Sequence, residues 1–286
     1  MLNINTNYAA AFAANATKKT SSGLDTAVER LSSGSRINYA RDDAAGLAIA
    51  TRLQAEVQSI SVAARNAADA QSMLDTADGA LGETHTVLLR MRELAVQASN
   101  GTLSSDDQAA LDAEFQQLEA EIDRIDANTT FAGVSLFDGA SKTFQVGIDG
   151  TGGSNQISTS ISNMAANNLG VDSFGADGAT GGGDDIDADL TDATKAAAMI
   201  TAVDNAIKLV STERGKLGAL SNRLSSTITN LDQVRVNLSA SQGRIEDADF
   251  AEETSNLAKG QILQQAATAM LAQANASKQT VLALVR

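Results

Sequence analysis

The chain of 286 residues contains no proline. At the ordinary usage of about 5%, a chain of this length would hold roughly 14 prolines. Proline removes a backbone hydrogen bond and clashes with the preceding helical turn, so it breaks or kinks the interior of a helix. A chain without it can form helices much longer than those of average globular proteins.

Three segments repeat apolar residues at alternating steps of three and four, which is the heptad pattern of helices packed side by side. They run from Ile200 to Ile245, from Leu53 to Ala95, and from Leu111 to Ile125. Polar residues such as Arg214 occupy some seam positions, but the phase does not slip. Helices of about 50 residues would be roughly 75 Å long. We therefore predict a mainly α fold, a rod built as a coiled-coil bundle of long helices.

Between the helical segments the apolar period changes to two, which predicts strands. Residues 144–148 and 157–161 each alternate apolar and polar side chains, so we predict a small β-hairpin within a β region at about 131–165. Residues 172–192 are rich in Gly and Asp. This composition predicts a variable acidic surface loop.

Both ends of the chain carry amphipathic helical patterns with few companions in the same sequence. We expect these N- and C-terminal helices to pair and still to leave apolar surface uncovered, which a polymer could bury. The positions expected to form this inter-subunit terminal seam are Leu24, Val28, Leu31, Leu263, Met270, Val281 and Leu284. Isolated helices are marginal in water, so the ends are expected to be disordered until neighbouring subunits cover them.

Composition excludes several classes of function. The chain has no cysteine and a single histidine, His85. Thiolate sites and His-rich zinc clusters are therefore excluded, and no convergent set of acid, base and nucleophile can be identified. We predict that the chain is not an enzyme and needs no cofactor, and that His85 is a packed or half-exposed structural residue. The formal charge of −14 argues against nucleic acid and anionic lipid as partners.

Neither a metal site nor a membrane span is predicted. Asp185, Asp187 and Asp189 have the spacing of a calcium loop, but Leu190 and Ala196 stand where such a loop needs Gly and Glu. A solvated acidic loop explains these residues better. No apolar run approaches the roughly 18 residues that a membrane-spanning helix requires.

Long stretches at both ends of the chain resemble bacterial flagellin. Residues 30–47 read RLSSGSRINYARDDAAGL, and residues 244–275 read RIEDADFAEETSNLAKGQILQQAATAMLAQAN. The shorter stretches RMRELAVQ at 90–97 and FAGV at 131–134 are similar to the same family. Flagellins often carry large outer domains in the middle, where this chain has only a short acidic loop. The chain thus resembles a minimal flagellin.

The resemblance implies a structural subunit that polymerises into the flagellar filament for swimming motility. It implies a discontinuous domain of terminal helices, about 1–42 and 247–286, in the inner filament core, and a helical rod domain at 43–246. The implied partners are other flagellin subunits, the flagellar export apparatus, an export chaperone and the filament cap. The implied location is the extracellular filament, reached without a cleaved signal peptide.

One candidate contact face comes from the resemblance. In some flagellins the positions matching Arg90, Leu94 and Glu114 contact a vertebrate innate-immune receptor, TLR5. Arg90 and Leu94 lie one turn apart and are expected to share a helix face, with Glu114 on the next helix. The alternative is that this face only packs subunits against one another.

Two other functions are compatible with the same pattern. A hook–filament junction protein shares the terminal architecture of flagellin but does not propagate a polymer. A soluble, rod-like ligand of a host receptor would instead be a stable monomer with ordered ends.

Overall fold

The computed structural model describes residues 7–149, 155–171 and 190–284, without the side chains of residues 193 and 278–284. Within these residues the chain is mainly helical, which confirms the predicted fold class. The helices are α1 (Tyr8–Ser33), α2 (Ala44–Ala98), α3 (Ser105–Asn128), α4 (Ala166–Leu169), α5 (Ala193–Glu246) and α6 (Phe250–Leu284). The strands are β1 (Thr130–Phe131), β2 (Val134–Ser135), β3 (Ser141–Gln145) and β4 (Gln156–Ser160). Most of the predicted acidic loop, residues 172–189, lies outside the described residues.

The predicted β-hairpin is present as the antiparallel pair of β3 and β4, in which Phe144 lies opposite Ile157. Strand β3 ends at Gln145, three residues earlier than the alternation predicts. The reason is that the backbone N–H groups of Val146 and Gly147 both donate to the carbonyl oxygen of Asn155, at 2.9 and 3.0 Å. Two donors facing one acceptor interrupt the regular ladder, as in a β-bulge.

The chain packs as two compact units, which we call the terminal unit (Met1–Gln58 with Arg235–Arg286) and the central unit (Ser59–Val234). The boundary therefore falls within α2 and within α5. The two helix breaks, at residues 34–43 and 247–249, lie instead close to the predicted domain limits.

The central unit contains a continuous apolar core, and the three predicted heptad seams supply much of it. Fully buried seam residues come from all three long helices: Leu74, Leu81 and Leu88 of α2, Phe115 and Ile122 of α3, and Val203, Val210 and Leu224 of α5. The ion pairs Arg92–Asp204 and Arg214–Asp78, each 2.7 Å long, join α2 to α5. Since residue numbers rise along one helix as they fall along the other, α2 and α5 are antiparallel.

Carboxylates of α3 bind the backbone that leads into α4. Asp126 accepts a hydrogen bond from the N–H of Met164 at 2.8 Å, and Asp123 accepts one from the N–H of Ala166 at 2.9 Å. Burial raises the pKa of Asp126, and the hydrogen bond from Met164 opposes this effect. These contacts give the short helix α4 partners for N–H groups that it cannot satisfy itself.

Backbone hydrogen bonds join the segment that follows α1 to the segment that precedes α6. Gly34 has a φ of 73°, a left-handed conformation that glycine adopts without strain, and its N–H caps α1 by donating to the carbonyl oxygen of Arg30. Beyond it, the N–H of Arg36 donates to the carbonyl oxygen of Glu246, and the N–H of Ala248 donates to that of Gly34. These backbone bonds fix the two chain segments side by side.

Candidate assembly surface

The paired helices α1 and α6 pack through small side chains. Ala13 and Ala27 of α1 and Ala267 of α6 are buried in the terminal unit. Gly260 of α6 faces Leu24 of α1 so closely that a Cβ added to the glycine would lie 3.1 Å from Leu24 Cδ1. Residues without bulky side chains let the two backbones approach, and this confirms that the terminal helices pair.

Polar contacts link α1 to α6 near both ends of α1. Arg30 Nη1 donates to Glu253 Oε1 at 2.9 Å, and only 10% of the Glu253 side chain is exposed. Near the other end of α1, the side-chain amide of Asn7 donates to the carbonyl oxygen of Ala274 at 3.2 Å. Asn7 also caps α1, because its side-chain oxygen accepts the N–H of Ala10.

About half of the large apolar side chains in the described terminal unit are exposed. Phe12 is 72% exposed, Tyr8 69% and Ile262 66%. Other apolar residues of this unit that are exposed are Val28, Tyr39, Ile49, Val236, Phe250, Leu263 and Met270. By contrast, the buried apolar residues of the described terminal unit are Ala13, Ala27, Ile37, Ala50 and Ala267. The residues that this unit buries fully are thus almost all alanine, while its bulky apolar side chains, apart from Ile37, are exposed or half-buried.

The residues predicted for the terminal seam differ in exposure. Val28, Leu263 and Met270 are exposed, so their side chains are available for contacts with another subunit. Leu24 and Leu31 are half-buried, and Leu24 packs against Gly260 of its own chain. The side chains of Val281 and Leu284 lie outside the described residues. Which of these residues contact neighbouring subunits therefore stays a prediction.

Phe250 and Ile262 are among the exposed apolar residues that the sequence did not identify. Ile262 precedes a seam position, so the heptad pattern placed it beside the seam. Phe250 begins α6, where no repeat has yet been established. Hydrophobicity at the helix start was the signal that could have identified Phe250.

The terminal unit also has open grooves beside these exposed residues. One groove, of about 930 Å³, is lined by Val57, Val236, Ala240, Arg244 and Asp247, among others. Its lining combines apolar side chains with charged side chains of both signs. Such a groove can receive an apolar side chain while its rim makes polar contacts.

The candidate receptor face is only partly assembled on the surface of the central unit. Arg90 Nη2 donates to Glu114 Oε1 at 2.7 Å, its Nη1 donates to Glu93 Oε2 at 3.0 Å, and about half of the Arg90 side chain is exposed. The hydrogen bond to Glu114, and to a smaller extent the hydrogen bond to Glu93, raises the pKa of Arg90 above its usual value. Leu94, however, is fully buried in the core. Leu94 is one turn from Arg90, as the spacing predicts, but it is not accessible to a partner in this structure, and the receptor contact stays a prediction.

Other candidate sites carry little chemistry. His85 is half-buried on α2. Among the described residues no group of His, Cys, Asp or Glu side chains is arranged to hold a metal ion. Asp185, Asp187 and Asp189 lie outside the described residues. In the part of the chain with described coordinates, every helix is too short or too polar to cross a membrane.

Comparison with known proteins identifies the family. Residues 4–142 match the bacterial flagellin N-terminal helical region, and residues 200–285 match the bacterial flagellin C-terminal helical region. The flagellin of Halalkalibacterium halodurans is 44% identical over 91% of each chain. The flagellin of Bacillus subtilis is 41% identical over the full length of both chains.

A solved structure supports the fold. A putative flagellar hook-associated protein from Vibrio parahaemolyticus, 17% identical, aligns with 72% of this chain and 100% of its own, with a TM-score of 0.59. At that identity the likeness concerns the fold alone. The full-length relatives favour neither the hook–filament junction protein nor the soluble receptor ligand. The chain belongs to the bacterial flagellin family, whose members are structural subunits of the flagellar filament.

Proposed function

We propose that copies of this flagellin polymerise by burying the exposed apolar side chains of α1 and α6 against neighbouring copies. The observation that carries the proposal is the contrast within the terminal unit, where alanines are buried while Phe12, Ile262 and Met270 are exposed. Covering each 100 Å² of such apolar surface contributes about 2.5 kcal/mol before the costs of ordering. Contacts repeated head to tail would build an open helical polymer rather than a closed ring.

Folding of the terminal helices and assembly are coupled in this mechanism. The pairing of α1 with α6 buries few large side chains, so it supplies little of the stability that a packed core gives. In a dilute monomer the two helices open easily. Neighbouring subunits then supply the missing apolar contacts, and the helices become ordered as they are incorporated.

The predicted division of the chain gives each part a place in the filament. Residues 1–42 and 247–286 form the inner filament core, and residues 43–246 form the helical domain outside it. The helix breaks at 34–43 and 247–249 support a boundary near these positions, although the two compact units divide within α2 and α5.

The route to the filament follows from the same proposal. The subunit leaves the cell through the flagellar export apparatus with an export chaperone, without a cleaved signal peptide, and is added beneath the filament cap. A chain without cysteine suits such export because no disulfide can lock it before it unfolds. The role is structural rather than enzymatic, and His85 has no catalytic part.

A second contact concerns the innate-immune receptor TLR5. The exposed pair Arg90–Glu114 supports it, since a guanidinium beside a carboxylate on neighbouring helices offers a recognisable polar feature. Leu94 contributes to this face only by supporting α2 from within the core.

Seeded polymerisation tests the main proposal. Deleting residues 263–286 should abolish filament growth while the central unit remains helical by circular dichroism. The double variant Leu263→Ser, Met270→Ser should do the same without shortening the chain. Ile148→Ser is the matched control, because Ile148 is an exposed apolar residue of the central unit, and it should leave growth unchanged. Normal filaments from the double variant would refute the proposal.

A further inference from the structure

The turn between α2 and α3 contains the single Asn-Gly pair of the sequence, Asn100–Gly101. Both residues are exposed, and a Cβ added at Gly101 would have no neighbouring atom within 4 Å. The Asn100 N–H donates to the carbonyl oxygen of Gln97, and the N–H of Leu103 donates to the carbonyl oxygen of Asn100, both at 3.2 Å. The pair is therefore held in a defined turn that water reaches freely.

The groups needed for an internal reaction meet in this turn. Asn100 Oδ1 accepts the N–H of Thr102 at 3.4 Å, so the side-chain amide is directed forward along the chain, toward the residues that follow it. A hydrogen bond to the amide oxygen also favours the negative charge that develops there during nucleophilic attack. Within the described part of the chain, the Gly101 N–H and the Asn100 side-chain NH₂ make no hydrogen bond. No hydrogen bond of the described residues therefore holds these two groups apart.

We propose that Asn100 is a site of spontaneous deamidation. The Gly101 nitrogen gives its proton to hydroxide and attacks Cγ of Asn100, which forms the new N–C bond of a cyclic succinimide. The bond from Cγ to the side-chain nitrogen breaks, and that nitrogen leaves as ammonia after taking a proton from water. Water then opens the ring at either carbonyl group. The products are aspartate, or isoaspartate in which the main chain runs through the former side chain.

Asparagines inside the long helices differ from Asn100 in ways that hinder the reaction. Asn222 and Asn237 lie inside α5, where the N–H of the following residue donates within the helix. That hydrogen bond and the helical backbone keep the nitrogen away from the side-chain amide. Their following residues, Arg223 and Leu238, also carry side chains that glycine lacks. The fold therefore protects these two asparagines in a way that it does not protect Asn100.

The two products affect the protein differently. Aspartate at position 100 adds one negative charge just after α2, where the helix dipole disfavours it, and just before α3, where the dipole favours it. These effects oppose each other. Isoaspartate lengthens the main chain and displaces the carbonyl group that accepts the N–H of Leu103. Isoaspartate should therefore loosen the α2–α3 connection, whereas aspartate should leave it nearly unchanged.

Peptide mapping of aged protein tests the site. Trypsin releases residues 93–124, in which Asn100 is the single asparagine. After incubation of the folded monomer at neutral and mildly alkaline pH, we expect this peptide to gain the mass of an amide-to-acid exchange, faster at the higher pH. Part of the product should accept a methyl group from isoaspartyl methyltransferase. Asn222 should remain unmodified.

Two variants and one free peptide make the outcome decisive. Gly101→Ala keeps the asparagine but hinders attack, so the rate should fall at least tenfold, about 1.4 kcal/mol in the barrier. Asn100→Gln should give no modified peptide, and circular dichroism should show both variants folded. The synthetic peptide 93–124 is the positive control. If it deamidates while the folded protein retains the Asn100 amide, the fold protects the site and the proposal is wrong.

Discussion

Arg30 of α1 donates a hydrogen bond from Nη1 to Oε1 of Glu253 on α6, 223 residues later in the chain, across 2.9 Å. The Arg30 side chain is 28% exposed and that of Glu253 is 10% exposed, so neither charge is fully hydrated. In a unit whose buried apolar residues are nearly all alanine, such a contact fixes which turns of the two helices lie side by side.

Breaking this pair should destabilise the pairing of the terminal helices. Either Arg30→Gln or Glu253→Gln is expected to cost about 1.5–3 kcal/mol, the range for hydrogen bonds to charged groups. A double-mutant cycle, followed by hydrogen exchange of α1 amides, measures the coupling between the two residues. Arg124→Gln is the control, since Arg124 pairs with Glu121 on the surface of one helix. Equal exchange rates in all variants would contradict the prediction.

Much of the fold could be predicted because heptad spacing is a local property. Positions such as Leu81 and Leu217 are buried where the phase of the repeat places them. The polar seam position Arg214 also fits, although the sequence could not name its partner. Asp78 lies 136 residues away, and only the antiparallel packing of α2 and α5 brings the two together.

The exposure of individual residues was harder to predict. A heptad repeat identifies one buried face of a helix, but it does not tell how many other helices pack around that helix. Near the end of α2 the buried residues Met91, Leu94 and Ala95 cover a wider arc than a single seam. Residues of both α3 and α5 belong to the same core there. Leu94 is therefore buried, although its spacing from Arg90 suggested a shared surface.

Leu94→Ala should accordingly act on stability. Removing most of a fully buried leucine side chain leaves a cavity and typically costs about 2–5 kcal/mol. Chemical denaturation of the central unit measures this loss. The matched variant Leu89→Ala removes a leucine that is 44% exposed, and it should change the unfolding midpoint much less. Similar losses from the two variants would show that Leu94 is not a core residue in solution.

The carboxylate of Asp126 should make the protein less stable as the pH rises. Burial raises the pKa of Asp126 in the folded state, so over the window between its unfolded and folded pKa values the folded chain binds more protons. Stability then falls as the pH increases through that window. Asp126→Asn, which retains an oxygen to accept the N–H of Met164, should be more stable than the parent chain at neutral pH. The difference should vanish in acid, as measured by thermal unfolding.

Asp204 is the control for Asp126, because its pKa is shifted in the opposite direction. Its hydrogen bond from Arg92 lowers the pKa of Asp204, so its stabilising effect is complete above the unfolded pKa and is lost as the pH falls through the folded value. Asp204→Asn should therefore be less stable than the parent chain at neutral pH, with a difference that disappears in acid. The same pH dependence in both variants would mean that a global charge effect outweighs these two environments.

A bulky side chain at Gly260 should disturb the pairing of the terminal helices, because α6 approaches Leu24 of α1 at this position. A Cβ there would lie 3.1 Å from Leu24 Cδ1, and the larger Gly260→Val should push the helices apart at a cost of about 1–3 kcal/mol. Gly218→Ala is the matched control in α5, where an added Cβ meets nothing within 4 Å. That change should stabilise its helix by roughly 0.5–1 kcal/mol. Seeded polymerisation should fail or slow only in Gly260→Val, since only this variant separates α1 from α6; unimpaired growth would show that their close pairing is not needed for assembly.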